Sequence, residues 1–207
     1  MTENTEDPAA DIAWMRRLAE EGAEAPMQGA SILFGAGLIF GLGSLGHWAV
    51  ASGLAGLEME AVNWIWLAAT ALFLIMLVVS LTRLGRAGGV QTSANRASGT
   101  AWASVGWGIF ALSASMAVLT LRLGGDAAMV ALALMPSMIM VFYGSGWAVT
   151  AAMQRSKPLW TLAIASFAAA PLLAALVGQA EQYLAYAAAL FLLMALPGWM
   201  LMRQARA

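Results

Sequence analysis

The 207-residue chain contains no cysteine and a single histidine, His47. The first absence excludes a disulfide framework, a thiolate metal site and a cysteine nucleophile. The second excludes a bis-histidine haem, and no cofactor is expected. Charge is also scarce: Lys, Arg, Asp and Glu make up 10% of the residues while 61% are hydrophobic, against about 25% charged in ordinary globular domains. With a net charge of -1, neither sign dominates, so nucleic acid is not an expected partner. Residues 1–24 hold seven acids and no apolar core, so a cleavable signal peptide is not expected, and the first apolar helix is expected to direct insertion.

What is present is a set of long charge-free runs. Between Glu24 and Glu58, Glu60 and Arg83, Arg96 and Arg122, Asp126 and Arg155, Lys157 and Glu181, and Glu181 and Arg203 lie intervals of 33, 22, 25, 28, 23 and 21 residues. A helix needs about 20 apolar residues to cross a hydrocarbon core of about 30 Å. The expected fold is therefore an all-α integral membrane protein. Its six transmembrane helices fall near residues 30–54, 62–81, 101–121, 127–153, 159–177 and 183–202, within a domain spanning 27–207. The polar stretch 83–100, with four glycines, reads as a flexible loop. Pro136, Pro171 and Pro197 fall inside the last three spans, and each frees a carbonyl that must be satisfied by a neighbour in a packed bundle.

Orientation follows from the cations. Arg16, Arg17, Arg83, Arg86, Arg96, Arg155, Lys157, Arg203 and Arg206 fall on one side of such a threading and only Arg122 on the other. Cytoplasmic loops carry the excess of Lys and Arg, which predicts that both termini are inside and that three antiparallel hairpins turn at acidic outer loops. Those outer loops carry Glu58, Glu60, Asp126 and Glu181. Trp48, Trp64, Trp66, Tyr183 and Tyr186 fall near the outer interface, and Trp102, Trp147, Trp160 and Trp199 near the inner one. Short loops and a cytosolic bias of polar residues suit a multi-pass protein of a bacterial inner membrane.

Before the first span, residues 1–10 are acidic and read as disordered. Residues 11–21 read as a short amphipathic helix, with Asp11 as cap and Ile12, Met15 and Leu18 along one edge beside Trp14. Gly22 and Pro26 end it, and 11–26 forms a cytoplasmic helix and linker. This segment is expected in the headgroup region, either as a solvated helical stub that merely orients the first span or as a docking site for a membrane or cytosolic protein partner.

The first span is exceptional in its glycine, with seven between Gly29 and Gly53. In a soluble helix each would cost roughly 1 kcal/mol relative to alanine, but in a bilayer small residues let a second helix approach closely. Gly37, Gly41, Gly43 and Gly46 are the expected packing positions. The run Gly41-Leu42-Gly43-Ser44-Leu45-Gly46 also matches the dinucleotide pattern GxGxxG, but that pattern requires a preceding strand and an aqueous pocket for a pyrophosphate. Within an uncharged span, helix packing accounts for it.

Tyr143-Gly144-Ser145-Gly146 resembles the GxSG of rhomboid proteases, which also have a six-span core. The resemblance covers these residues alone. Tyr143 stands where the motif has glycine, the last span has no histidine to act as base, and Ser145 falls near the inner face. A small-residue contact, with the Ser145 hydroxyl bonded to a backbone carbonyl, is the expected role. The methionines around Met135-Pro136-Ser137-Met138-Ile139-Met140 read as filling around a kink rather than as a copper site. Ser104, Ser113, Ser115 and Thr120 of the third span either line a polar seam or bond their own backbone.

His47, in the outer third of the first span beside Trp48, is either a structural histidine hydrogen-bonded at the outer interface or the candidate ligand or proton site, being the only side chain in the spans whose ordinary titration lies near neutral pH. It falls one turn beyond Gly43 on the same helical face. No catalytic residue is expected, because the spans lack carboxylates at mid-depth and a nucleophile paired with a base. The expected function is that of a non-enzymatic accessory or regulatory subunit, working through helix contacts and cytoplasmic segments. A transporter of a small apolar or lipid-like molecule is the alternative, and a membrane enzyme using His47 with the outer carboxylates is a third reading.

Overall fold

The computed structural model describes residues 12–14, 29–86, 92–123 and 125–204, side chains at 86 and 125–128 excepted. These residues are almost wholly helical, and no strand occurs among them. The elements are α1 (Ala30–Ala51), α2 (Ala61–Arg86), α3 (Ser93–Leu123), α4 (Gly125–Ala133), α5 (Met135–Met153), α6 (Lys157–Ala175), α7 (Glu181–Leu190), a π-helical turn (Phe191–Ala195) and α8 (Leu196–Gln204). Six helices are long and apolar enough to cross a membrane, the fourth and sixth being composite: Met129–Met153 joins part of α4 to α5, and Glu181–Gln204 joins α7, the π turn and α8. Residues 12–14 are helical; the rest of the amphipathic segment expected over 11–21, and the acidic segment 1–10, lie outside the described residues.

The stretch 83–100 differs from the loop expected of it. α2 continues to Arg86 and α3 begins at Ser93, so 83–86 and 93–100 are helical, and 87–91 lie outside the described residues. A side-chain cap explains the early start. Thr92 Oγ1 accepts the backbone N–H of Asn95 at 3.1 Å, satisfying one of the donors a helix N-terminus leaves open. Ala94, Asn95 and Ser98 of this first stretch are buried, so packing reinforces the cap.

α1 lies between α2 on one side and the sixth span on the other, while α5 packs closely on α6 and receives α3 across another face. The core is built from Met140, Trp147, Leu190 and Met194, closed in by Tyr143, Tyr186, Leu33 and Val105. By contrast α2 and α3 are peripheral. They present Trp64, Leu67, Ile75 and Val78, and Trp107, Phe110 and Leu121, outward. An apolar surface of that extent suits hydrocarbon, not water. The hydroxyls of Ser104, Ser113, Ser115 and Thr120 on α3 do not form a seam. Each is exposed and donates to the carbonyl four residues back at 2.8–2.9 Å, so no donor is left open to the surroundings.

Two of the three span prolines mark irregular points, whereas Pro171 lies inside an unbroken α6. The fourth span breaks at Leu134, directly before Pro136 opens α5, and Pro197 follows the π turn. Proline removes the N–H that would bond the carbonyl four residues earlier, which for Pro197 is Leu193. Trp147 supplies the missing donor: its indole N–H reaches Leu193 O at 2.9 Å. A π turn beside a proline is a recognised way for a helix to absorb such a defect.

Candidate functional site

His47 sits four residues before the end of α1 and is 7% exposed. Two neighbouring helices enclose its ring. From α2, the Trp66 indole N–H donates to His47 Nδ1 at 3.0 Å. From α7, the Tyr183 ring stacks on the imidazole, with centroids 3.4 Å apart and planes inclined by 25°. An indole N–H can only donate, so Nδ1 must accept and the imidazole proton sits on Nε2. One turn earlier on α1, the buried Ser44 donates its hydroxyl to Tyr183 O at 2.7 Å, which holds the start of the sixth span against α1.

This cluster joins three spans through side chains far apart in sequence. No pairing within it is legible from sequence, although Trp66 and Tyr183 are both expected at the same interface as His47. The signal that connects His47 with Trp66 is hairpin symmetry: both lie close to the turn between α1 and α2, one on either side. Tyr183 has no comparable local signal.

Three of the four acidic candidates make no described bond to His47 and lie exposed at helix ends or in a connection. Glu58 and Glu60 lie exposed on the α1–α2 connection, where their carbonyls accept the N–H groups of Ala61 and Asn63. Glu181 is exposed at the first residue of α7. Asp126 belongs to α4, and its side chain lies outside the described residues. Among the described residues the hydrogen bond of the imidazole goes to Trp66 and not to a carboxylate.

The glycines of α1 divide between two partners. A Cβ on Gly37 would overlap the backbone of Ala195, and one on Gly41 would lie 2.5 Å from the Phe191 ring, so both face the π turn. Gly43 and Gly46 instead face α2, with Ala69 and Ile65 as nearest neighbours at 3.4 and 3.3 Å. The contact with the sixth span is reciprocal. A Cβ on Gly198 would come within 2.5 Å of Phe34 N, so each backbone presses on the other through a glycine. The GxGxxG run is uninterrupted helix throughout.

Three further polar junctions were not foreseen. Gln182, 1% exposed, donates its side-chain amide to Ala133 O at 2.7 Å and to Leu173 O at 3.2 Å, tying the break in the fourth span to the end of α6. Toward the other end, Trp102 donates to Thr150 Oγ1 at 3.0 Å, and Thr150 donates onward to Gly146 O at 2.8 Å. The Trp102 ring meets Trp147 edge-on at 5.1 Å. Ser137 donates to Ala170 O at 2.8 Å between α5 and α6. Ser145, in the stretch that resembles GxSG, is exposed and donates to Val141 O of its own helix at 3.0 Å. Its neighbours Gly144 and Gly146 admit the rings of Phe167 and Trp102.

The interior polar groups thus work mainly as donors to carbonyls or rings on other spans. Comparison with protein-family models, with curated proteins and with solved structures gives no match.

Proposed function

We propose that this chain is a non-enzymatic accessory or regulatory subunit of a bacterial inner membrane. It threads the bilayer six times as three antiparallel hairpins, with both termini in the cytoplasm, and acts through helix contacts and its cytoplasmic segments. Residues 11–21 dock its partner.

One observation carries the reading: interior polar side chains are occupied in holding helices together. His47, Trp66, Ser44, Gln182, Trp102, Thr150, Trp147 and Ser137 each engage a partner on another span. In hydrocarbon, such bonds give the bundle its register, because lipid supplies no hydrophobic drive between helices. His47 is enclosed by aromatic rings with one nitrogen committed, which suits an interhelical pin better than a general base. The orientation draws support from the distribution of Lys and Arg and from Arg203, whose guanidinium lies 4.7 Å over the Trp199 ring in the last turn of α8. That pair suits the headgroup depth of the positive side.

Gentle purification of the full chain followed by native mass spectrometry tests the proposal. The expected result is a stoichiometric protein partner that is lost when residues 1–21 are deleted. A stoichiometric bound small molecule without any protein partner would instead favour transport.

A further inference from the structure

Trp66 and a proton compete for the same lone pair. In the neutral imidazole of His47 the proton sits on Nε2, and the one acceptor left, Nδ1, is taken by the Trp66 indole N–H at 3.0 Å. A second proton can enter the ring only at Nδ1. There it sets a donor against a donor, and an indole has no lone pair to offer in return, so protonation and the His47–Trp66 bond exclude one another.

The two neighbours of the ring respond in opposite ways. Tyr183 stacks on the imidazole with centroids 3.4 Å apart, and the face of an aromatic ring attracts a cation. Charging the imidazole therefore keeps its contact with the sixth span, and the Ser44 bond to Tyr183 O does not involve the ring at all. On α2 the other contacts near this level are apolar, with Ile65 against Gly46 and Ala69 against Gly43. α2 packs chiefly on α1 and turns most of its surface outward, so no second span holds it in place.

The surrounding charges leave this competition undisturbed. Trp66 does not titrate, and Tyr183 is the titratable group that α7 places on the ring. Glu58 and Glu60 on the α1–α2 connection, Glu181 at the start of α7 and Arg122 in the last turn of α3 are all exposed. The π turn carries no charge, and the cation of α8, Arg203, lies beyond the Gly198–Phe34 contact at the other end of α1.

We propose that His47 is a proton-sensitive latch: a proton on Nδ1 releases Trp66 and frees the first turns of α2 from α1, while the imidazolium stays on Tyr183. His47 lies four residues before the end of α1, so the proton crosses little of the apolar layer. In the orientation proposed above, acidification outside the cytoplasm is the signal. The latch itself depends neither on that orientation nor on a partner protein, so its failure and theirs are separate.

The full chain labelled with 15N-histidine is taken in detergent from about pH 8 to about pH 4, across the ordinary histidine range. NMR reads the state of Nδ1, circular dichroism reads helix content, and deuterium exchange is compared at each pH with that of Trp66→Phe, so the intrinsic effect of pH on exchange cancels. While Nδ1 is bare, amides 61–70 of the parent should exchange at least about threefold more slowly than those of the variant, the factor expected of an average interhelical bond. Once Nδ1 carries a proton the two should exchange alike, with amides 184–190 still protected. Should Trp66→Phe fail to fold, the parent decides alone, because exchange at 61–70 relative to 184–190 should rise by the same factor as Nδ1 is protonated. Unchanged protection of 61–70 after protonation would overturn the latch. So would equal loosening of both segments, or an Nδ1 that stays bare across the whole range or until the helices unfold.

Discussion

Trp147 donates its indole N–H to the carbonyl of Leu193, the group left without its usual helical donor by Pro197 four residues later. The bond spans 46 positions and is made by a fully buried ring, so the defect in one span is repaired by the core of another. Repair of this kind lets an interior proline persist in a helix that has no water to turn to.

Trp147→Phe keeps most of the ring volume and removes the donor. It should lower stability by about 0.5–2 kcal/mol, the range of interhelical bonds in membranes. Pro197→Ala restores a backbone N–H near Leu193 O, so the cost of Trp147→Phe should shrink in that background. Thermal unfolding of the four proteins in detergent supplies the double-mutant cycle, and strict additivity would show that the two residues do not share the carbonyl.

Alanine substitutions along α1 should sort by partner. Gly37→Ala and Gly198→Ala drive a methyl into backbone atoms of the facing helix, which cannot swing aside. Each should destabilise by roughly 1–3 kcal/mol. Gly43→Ala meets its nearest atom at 3.4 Å, an ordinary contact, and should be neutral or stabilising through its better helix propensity. The reverse order of melting temperatures would contradict the packing described.

The single histidine makes a direct spectroscopic test available. In protein labelled with 15N-histidine, solid-state NMR at neutral pH should show one imidazole with bare Nδ1 and protonated Nε2. Trp66→Phe should perturb the Nδ1 signal first. A proton on Nδ1 would mean that Trp66 is not its donor.

Arg155 occupies the left-handed position of a C-terminal helix cap, where Ser156 N–H bonds Ala151 O at 3.0 Å and Arg155 N–H bonds Ala152 O at 3.4 Å. Arg155→Gly should relieve about 1 kcal/mol of backbone strain. Thermal unfolding in detergent should show a higher melting temperature for the variant; a lower one would show that the Arg155 side chain itself supports this turn.

The spans were legible in the sequence because bilayer thickness acts on each helix separately, so the gaps between charges reveal them. Glycine frequency likewise marked α1 as a packing helix. Which partner each glycine faces was not legible, since Gly37 and Gly43 differ only by rotation about the helix axis, and the two surrounding helices come from opposite ends of the chain. Gln182 and Ser98 escaped notice for a related reason. They look like ordinary polar residues at span ends, and what encloses them, such as the Ala133 and Leu173 carbonyls that Gln182 reaches, appears only once the spans are assembled. The start of α3 at Ser93 was hidden by composition, because glycine and serine suggest a loop while the Thr92 cap acts through one local bond.

The threading itself is tested most directly by site-directed labelling of this thiol-free chain. Cysteines introduced singly as Ser93→Cys and Glu58→Cys fall at opposite ends of the bundle, the first at the start of α3 and the second on the exposed α1–α2 connection. In intact cells an impermeant maleimide should modify the Glu58 variant and leave the Ser93 variant untouched until the membrane is permeabilised. Modification of the Ser93 variant in intact cells, with protection at position 58, would contradict the proposed orientation.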